Sequence, residues 1–386
     1  MRLLAFLLFF INCLHISVHA AAPPALVPQT GRTTCYETTD TVKSTCAGTG
    51  RDGDTLSGVA WPKPRFRDNV NQAITDTLTG LVWSRDANPA GEYKTWQQAL
   101  DYVKALNSKN YLGHNDWRLP NINELESLVN KQSDLATWFS SLGFSAVRVD
   151  YYWTSTTYAS HTLYAWAVSM YSGIVAGRNK TDISYVWPVR SGDSGVLTLA
   201  KTGQTACHDA SGTAITCAGT GQDGELQTGV AWPHPRFEDN GDQTMRDGLT
   251  GLVWTQDGRA PGPAACSPGT NKTQQGALDY VQCLNTHEFL GKSDWRLPNT
   301  NELTSLVNRG QPDSAAHLNS LGFSHVEASC YWSSSTYADA TWNAWSVNMH
   351  DGAVTSFDKK HDINAWPVRD GKQENQMRAK RDLQED

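Results

Sequence analysis

The spacing of apolar residues along the chain predicts both helices and strands. From Trp96 to Leu106, apolar side chains recur at intervals of three and four residues, which predicts a helix with one buried face. Thr95 and Gln98 form the pattern of a capping box at the start of this helix. A second helix is predicted after Asn121, which can cap a short stretch with a stripe of apolar side chains.

Later stretches alternate between two kinds of side chain, which is the period of a strand. Residues 152–158 alternate aromatic and hydroxyl side chains, and residues 164–170 alternate again before a turn at Ser172 and Gly173. Asp351 and Gly352 stand at the matching place later in the chain and are a strong hairpin signal. The predicted fold class is therefore α+β, with two helices packed on a mainly antiparallel sheet in each half.

The second half of the chain repeats the first, at an offset of roughly 170–180 residues. The matched stretches are Thr45–Gly50 with Thr216–Gly221, Gly58–Pro62 with Gly229–Pro233, Thr79–Trp83 with Thr250–Trp254, Asp116–Asn121 with Asp294–Asn299, Tyr152–Trp153 with Tyr331–Trp332, and Trp187–Arg190 with Trp366–Arg369. A period this long indicates a duplicated domain rather than a solenoid. We place the first repeat at residues 25–192, the second at residues 196–371, and a disordered tail at residues 372–386.

The start of the chain predicts export. Residues 1–20 read as a signal peptide, with Arg2 ahead of an apolar run and small residues at Val18 and Ala20 for cleavage. No later segment is apolar enough to span a bilayer. We therefore expect a secreted, periplasmic or cell-surface protein. The 386 residues carry a formal net charge of −7, which argues against a nucleic-acid-binding surface.

Cysteine spacing agrees with an oxidising compartment. Two close pairs stand at matching places of the two repeats, and a third pair is the first choice within the second repeat. The predicted disulfides are Cys35–Cys46, Cys207–Cys217 and Cys266–Cys283. Cys330 is then either a buried free thiol or an intermolecular link.

Several of the repeated motifs resemble a known family. They are Asp-Trp-Arg-Leu-Pro-Asn, Tyr-Trp-Ser-Ser-Ser-Thr, Trp-Pro-Val-Arg, Thr-Gly-Leu-Val-Trp and Asn-Glu-Leu. The chain looks like two tandem copies of the DUF1566 domain, also called the Lcl C-terminal domain. The resemblance implies a C-type-lectin-like fold, an exported protein and, for the adhesin branch of the family, binding to polysaccharides. The chain lacks the collagen-like repeats of that branch, so its oligomeric state stays open.

The Trp-Arg-Leu-Pro motif allows two interpretations. It could form a ligand surface with an aromatic platform and a guanidinium group. Alternatively, the tryptophan lies in the core and the arginine pairs with a glutamate of the following helix, which is the interpretation we favour. The residues concerned are Trp117, Arg118 and Glu124 in the first repeat, and Trp295, Arg296 and Glu302 in the second.

The candidate binding residues are Trp153, Ser155, Trp332 and Ser334. Rings that alternate with hydroxyls could stack on a sugar and form hydrogen bonds to it. The competing interpretation, which we weigh more heavily, is a half-buried strand with one solvated face.

No metal site is assigned from the sequence, although calcium is considered. Asp239, Asn240, Gly241 and Asp242, with Asp247, resemble a loop of oxygen ligands. The glutamate that ends an EF-hand loop is missing, and a hairpin turn rich in Asp and Asn is the favoured interpretation.

The expected function is a non-enzymatic module that binds a surface glycan or polymer through two weak sites. One alternative is a structural envelope protein with protein partners. The other is an enzyme on a scaffold like that of the formylglycine-generating oxidases, which share an Arg-Leu-Pro string. Those enzymes use a pair of reactive cysteines, whereas here Cys330 alone is near the expected place.

Overall fold

A computed structural model describes residues 23–37 and 43–371 of the chain. The predicted signal peptide and the predicted disordered tail lie outside the described residues. None of the described helices is both long and apolar enough to cross a membrane.

Each repeat contributes strands to more than one sheet. The strands of the first repeat are β1 (Cys35–Tyr36), β2 (Lys43–Ser44), β3 (Phe66–Asn69), β4 (Ala73–Asp76), β5 (Leu81–Ser84), β6 (Tyr151–Thr157), β7 (Tyr164–Ser169), β8 (Val175–Asn179) and β9 (Val189–Ser191). Those of the second repeat are β10 (Cys207–His208), β11 (Ala214–Ile215), β12 (Phe237–Asp239), β13 (Thr244–Asp247), β14 (Val253–Thr255), β15 (Cys330–Thr336), β16 (Asn343–Asn348), β17 (Val354–Asp358) and β18 (Val368–Arg369).

The helices are short apart from one in each repeat. In the first repeat they are α1 (Asp52–Thr55), α2 (Trp96–Ser108), α3 (Ile122–Ser127) and α4 (Leu135–Ser141). In the second they are α5 (Asp223–Leu226), α6 (Gln274–Thr286), α7 (Thr300–Ser305) and α8 (Ser314–Ser320). The architecture is α+β with antiparallel sheets, as expected.

The predicted helix starts are confirmed. The hydroxyl of Thr95 accepts from the backbone N–H of Gln98, whose side chain bonds back to the Thr95 N–H, so the capping box of α2 is complete. Asn121 and Glu124 form the same box at α3. The prediction of two helices in each repeat is too low, because the apolar spacing of α1 and α4 does not indicate a helix. They span 4 and 7 residues, too few to show a helical period.

The expected single sheet in each repeat is also wrong. Each repeat has its own four-stranded sheet, in the order β3-β4-β5-β9 or β12-β13-β14-β18. The remaining long strands join one six-stranded sheet that runs through both repeats, in the order β15-β16-β17-β8-β7-β6. The repeats meet in it where β17 pairs with β8, at Val354 and Val175.

Aromatic side chains fill the core on both sides of this junction. The Trp187 ring packs edge-on against Phe139 and Phe144, with centroids 5.2 and 5.1 Å away. In the second repeat Trp366 packs against Phe323 at 5.2 Å in the same way. One buried cluster contains residues of both repeats, so the two halves share a core.

Candidate functional site

The Trp-Arg-Leu-Pro motif has the structural role that we favoured. The Arg118 guanidinium donates to both carboxylate oxygens of Glu124, one of them at 2.7 Å, and the same carboxylate accepts from the backbone N–H of Asn121 at 2.9 Å. Trp117 is buried and donates its indole N–H to the Tyr111 carbonyl. These groups fix the start of α3 and are not available to a ligand.

The second repeat keeps the same arrangement. Arg296 bonds both oxygens of Glu302 at 2.6 and 2.7 Å, and it also contacts Asp370. Trp295 is buried and donates to the Phe289 carbonyl.

The expected sugar platform on strands β6 and β15 does not form. Trp153 and Trp332 are fully buried, and Ser155 and Ser334 are at most 2% exposed. Both indoles donate inward, to the carbonyls of Lys94 and Lys272. The strands are buried on both faces, because a helix covers one face and the shared core the other. These four residues therefore cannot contact a sugar in the folded protein.

The hydroxyl groups on these strands have a different use, which the sequence did not reveal. The Thr156 hydroxyl on β6 donates to the carboxylate of Asp223 at 2.7 Å, and the Ser335 hydroxyl on β15 donates to that of Asp52 at 2.5 Å. Each bond joins one repeat to the beginning of the other. Burial raises the pKa of Asp52 to about 6, and it raises the pKa of Asp223 to about 6 as well.

The loop considered for calcium is a turn between β12 and β13. The Asp239 carboxylate accepts from the backbone N–H of Gly241 at 2.8 Å, which is the geometry of an Asx turn. Asp247 is fully buried, and both its oxygens accept from Arg236, at 3.0 and 2.8 Å. Asp247 therefore turns away from the loop and cannot complete the ligand set considered from the sequence.

All three predicted disulfides are present, namely Cys35–Cys46, Cys207–Cys217 and Cys266–Cys283. His287 lies beside the last of them, and these three residues are the one metal-compatible group among the described residues. The two sulfurs are consumed by the disulfide. Cys330 is the one free thiol of the described residues, and burial raises its pKa, which lowers its thiolate fraction.

A partly exposed aromatic surface occurs on the first repeat. Tyr93, which precedes α2, is 41% exposed, and its ring lies 4.2 Å from that of Tyr185. The Tyr93 hydroxyl donates to Asp150 at 3.1 Å. Beside them, the Arg178 guanidinium lies 4.7 Å from the ring centre of Tyr151. We call these five residues the tyrosine surface.

Local structure explains why these side chains meet. The backbone N–H of Tyr185 bonds the Tyr151 carbonyl, which holds the loop before β9 against the first residue of β6. Lys94 bonds Ser184 through both backbone groups, which brings the residue before it next to the same loop. The pKa of Tyr93 is raised to about 12, first by its contact with Tyr185 and then by Asp150, so the phenol stays protonated at neutral pH.

The second repeat has other residues at these places. Asn271 stands at the position of Tyr93, Cys330 at that of Tyr151, and Asn364 at that of Tyr185. The Asn364 side chain bonds the Cys330 carbonyl. The tyrosine surface therefore belongs to the first repeat, although most neighbouring motifs are shared. The sequence carries this signal as tyrosines that break an otherwise repeated pattern.

A cavity of about 100 Å³ lies where the two repeats meet. Its walls come from matched positions of both halves, among them Asn123 and Asn301. The two side-chain amides donate to the carbonyls of Ala200 and Pro28, so they hold the walls in place.

The fold and these contacts define a disulfide-bonded α+β protein of two interlocked homologous repeats. The chain belongs to the Lcl C-terminal domain family, whose model matches residues 72–190 and 243–369, more than half of the chain. The matches fall one in each repeat, as expected for two tandem copies. No curated protein matches the chain significantly.

Proposed function

We propose that this protein is an exported, non-enzymatic binding module that takes a glycan at the tyrosine surface of its first repeat. The observation that carries the proposal is the close pair of rings formed by the exposed Tyr93 and the partly exposed Tyr185, beside the carboxylate of Asp150. Phenol rings offer apolar faces for the C–H side of a pyranose, and carboxylates accept from pairs of sugar hydroxyls. The fold we propose for each repeat is C-type-lectin-like, in keeping with its family.

The chemistry of the surface favours neutral sugars. The tyrosine surface carries one carboxylate, Asp150, and one guanidinium, Arg178, and the whole chain carries a formal net charge of −7. Sulfated polysaccharides prefer strongly basic surfaces. Because the aromatic surface is confined to the first repeat, we propose one glycan site in each chain rather than the two expected from the repeats.

We also propose that binding needs no calcium. In the Asp239 loop the Asp239 carboxylate accepts a hydrogen bond from the backbone of its own turn. Asp150 contacts a tyrosine rather than a second carboxylate. Chelator is therefore expected to leave glycan binding unchanged.

The test is a glycan array probed with residues 21–386, with and without chelator. Tyr93→Asn and Tyr185→Asn place the second repeat's own residues in the first repeat, so the substituted side chains suit the same fold. The double variant is expected to lose at least tenfold in affinity for the glycans that the unmodified chain binds. The matched control, Asn271→Ala, is expected to bind them as before.

Two results would reject the proposal. Unchanged affinity in the double variant would show that any glycan binds elsewhere. A chain that binds no glycan but captures one specific envelope protein would favour the structural alternative.

A further inference from the structure

The beginning of each repeat lies between the two repeats. It bonds its own repeat, for example from the Arg32 guanidinium to the Lys131 carbonyl at 3.1 Å, and it also packs on the other repeat. We call residues 25–37 and 43–58 the first docking segment and residues 197–229 the second docking segment. The first contains the Cys35–Cys46 disulfide and α1, and the second contains the Cys207–Cys217 disulfide and α5. Both family matches begin after these segments.

The first docking segment is held by side chains of the second repeat. The Asn299 amide, at the start of α7, donates to the Ser57 carbonyl at 3.0 Å. Lys359 donates to two carbonyls of the disulfide hairpin, at 3.2 and 3.1 Å. Arg51 of the segment reaches α6 and bonds Gln274 at 2.9 Å. Asp52 accepts from Ser335, as described above.

The second docking segment is held by the matched side chains of the first repeat. The Asn121 amide, at the start of α3, donates to the Thr228 side chain at 2.9 Å. Lys180 donates to the carbonyls of His208 and Asp209, each at 3.1 Å. Asp223 accepts from Thr156. The same three kinds of contact thus occur twice, with the roles of the repeats reversed.

Loss of the hydrogen bonds between the docking segments and the opposite repeats would destabilise the protein. Asp52 and Asp223 are at most 2% exposed, and each also accepts a hydroxyl hydrogen bond within its own segment, from Thr30 and Thr202. Hydrogen bonds to an ionised acceptor stabilise more than bonds between neutral groups, and each of these carboxylates holds two of them. The contact of the shared sheet, by contrast, is limited to the single pair of Val175 and Val354.

We propose that each repeat carries an acceptor surface for the docking segment of another repeat, so that the two halves of this chain form a reciprocal complex. The partner that fits this surface is a second copy of the same repeat. The acceptor consists of a capping asparagine, a strand hydroxyl and a lysine, namely Asn121, Thr156 and Lys180 in one half and Asn299, Ser335 and Lys359 in the other. The chain is thus a dimer of repeats joined covalently by the segment near residues 191–196.

The test cuts the folded, full chain between its halves. A protease site inserted between Asp193 and Ser194 lies at exposed residues. Each disulfide of the described residues closes within one half, so it cannot hold the cut halves together. The cut protein is expected to elute from a sizing column at the position of the intact chain, and to separate only in denaturant.

A pair of variants then distinguishes segment docking from the sheet contact. Asp52→Ala removes the acceptor of Ser335, whereas Asp54→Ala removes a carboxylate that bonds Gly50 inside its own segment. In the cut protein, Asp52→Ala is expected to raise the dissociation constant of the halves about ten- to a hundredfold, the range of a hydrogen bond to a charged group. Asp54→Ala is expected to change it less than threefold.

The proposal is overturned if the cut halves elute as two separate folded monomers. It is also overturned if Asp52→Ala and Asp54→Ala weaken the association equally, because the docked carboxylate would then have no special part in it.

Discussion

The clearest quantitative prediction concerns Lys131 and its counterpart Arg309. Lys131 is 2% exposed, its ammonium nitrogen lies 3.9 Å from the ring centre of Trp345, and it has no hydrogen-bond partner among the described residues. Arg309 lies in the same way on Trp166 of the other repeat, but it also donates to the Gly352 carbonyl at 2.7 Å. The lysine is too short to make the matching bond.

Lys131→Arg is expected to stabilise the protein. Gly173 of the matching turn has φ +76°, close to the +88° of Gly352, so we expect an arginine at position 131 to donate to its carbonyl as Arg309 does to that of Gly352. A small recess of about 10 Å³ beside Lys131 leaves room for the change. One or two added hydrogen bonds from a charged donor give a gain of about 1–3 kcal/mol in the free energy of unfolding at pH 7. The reverse change, Arg309→Lys, should cost a similar amount.

The pH dependence gives this prediction a second readout. Burial lowers the pKa of Lys131 to about 8 from an unfolded value of 10.5. When the folded pKa of a lysine is below its unfolded pKa, the folded protein must bury a charged ammonium at low pH, which lowers its stability. This penalty disappears as the pH rises from the folded pKa to the unfolded pKa. The unmodified chain therefore gains up to roughly 3 kcal/mol from this group between pH 8 and 10.5, whereas an arginine does not titrate there. The advantage of Lys131→Arg should shrink over that range.

The assay is urea denaturation followed by tryptophan fluorescence, at pH 7 and at pH 10, for the two variants and the unmodified chain. A Lys131→Arg variant that is no more stable than the unmodified chain at pH 7 would contradict this prediction. So would an advantage that grows with pH.

Three further predictions follow from the packing. Trp332→Ala should lower the free energy of unfolding by about 3–5 kcal/mol, measured by urea denaturation, because the ring is fully buried. The affinity of the folded variant for glycans on the array should be unchanged. Glu124→Ala should cost about 3–5 kcal/mol by leaving the buried guanidinium of Arg118 unpaired, and a loss under 1 kcal/mol in urea denaturation would contradict this. Burial lowers the pKa of Lys180 and of Lys359 to about 7. Because the folded protein then no longer has to bury these charges, its stability should rise between pH 7 and 10. The double variant Lys180→Gln, Lys359→Gln should show a smaller rise of the melting temperature over that range.

Local features of the fold follow from the sequence, because they depend on residues that are close along the chain. The capping boxes at Thr95 and Asn121 need residues three positions apart. The three disulfides each close over 10 to 17 residues. The Arg118–Glu124 pair spans six residues and one helix start. In each case a short-range rule is enough.

The exchange of docking segments could not be predicted in the same way. A repeated sequence shows that residues 25–58 match residues 197–229, but it does not show that each segment also bonds the other copy. The buried carboxylates Asp52 and Asp223 lie more than 60 residues from their strand hydroxyl partners. These partners can be identified only from the three-dimensional structure.

The sequence motifs did not indicate the tyrosine surface for a related reason. Shared motifs drew attention to Trp153 and Trp332, and motifs shared by both repeats are mostly the ones that build the core. The exposed Tyr93 ring and the partly exposed Tyr185 ring lie where the repeats differ, against Asn271 and Asn364. Positions that break an internal repeat are therefore the better guide to a binding surface in this chain.

The proposed glycan site is tested most directly by one affinity measurement. The best glycan found for residues 21–386 is titrated into the unmodified chain, into the Tyr93→Asn and Tyr185→Asn double variant, and into the matched Asn271→Ala control. We expect one glycan bound per chain, at least a tenfold weaker affinity in the double variant, and no change in the control. Equal affinities in all three proteins, or two equivalent sites per chain, would contradict it.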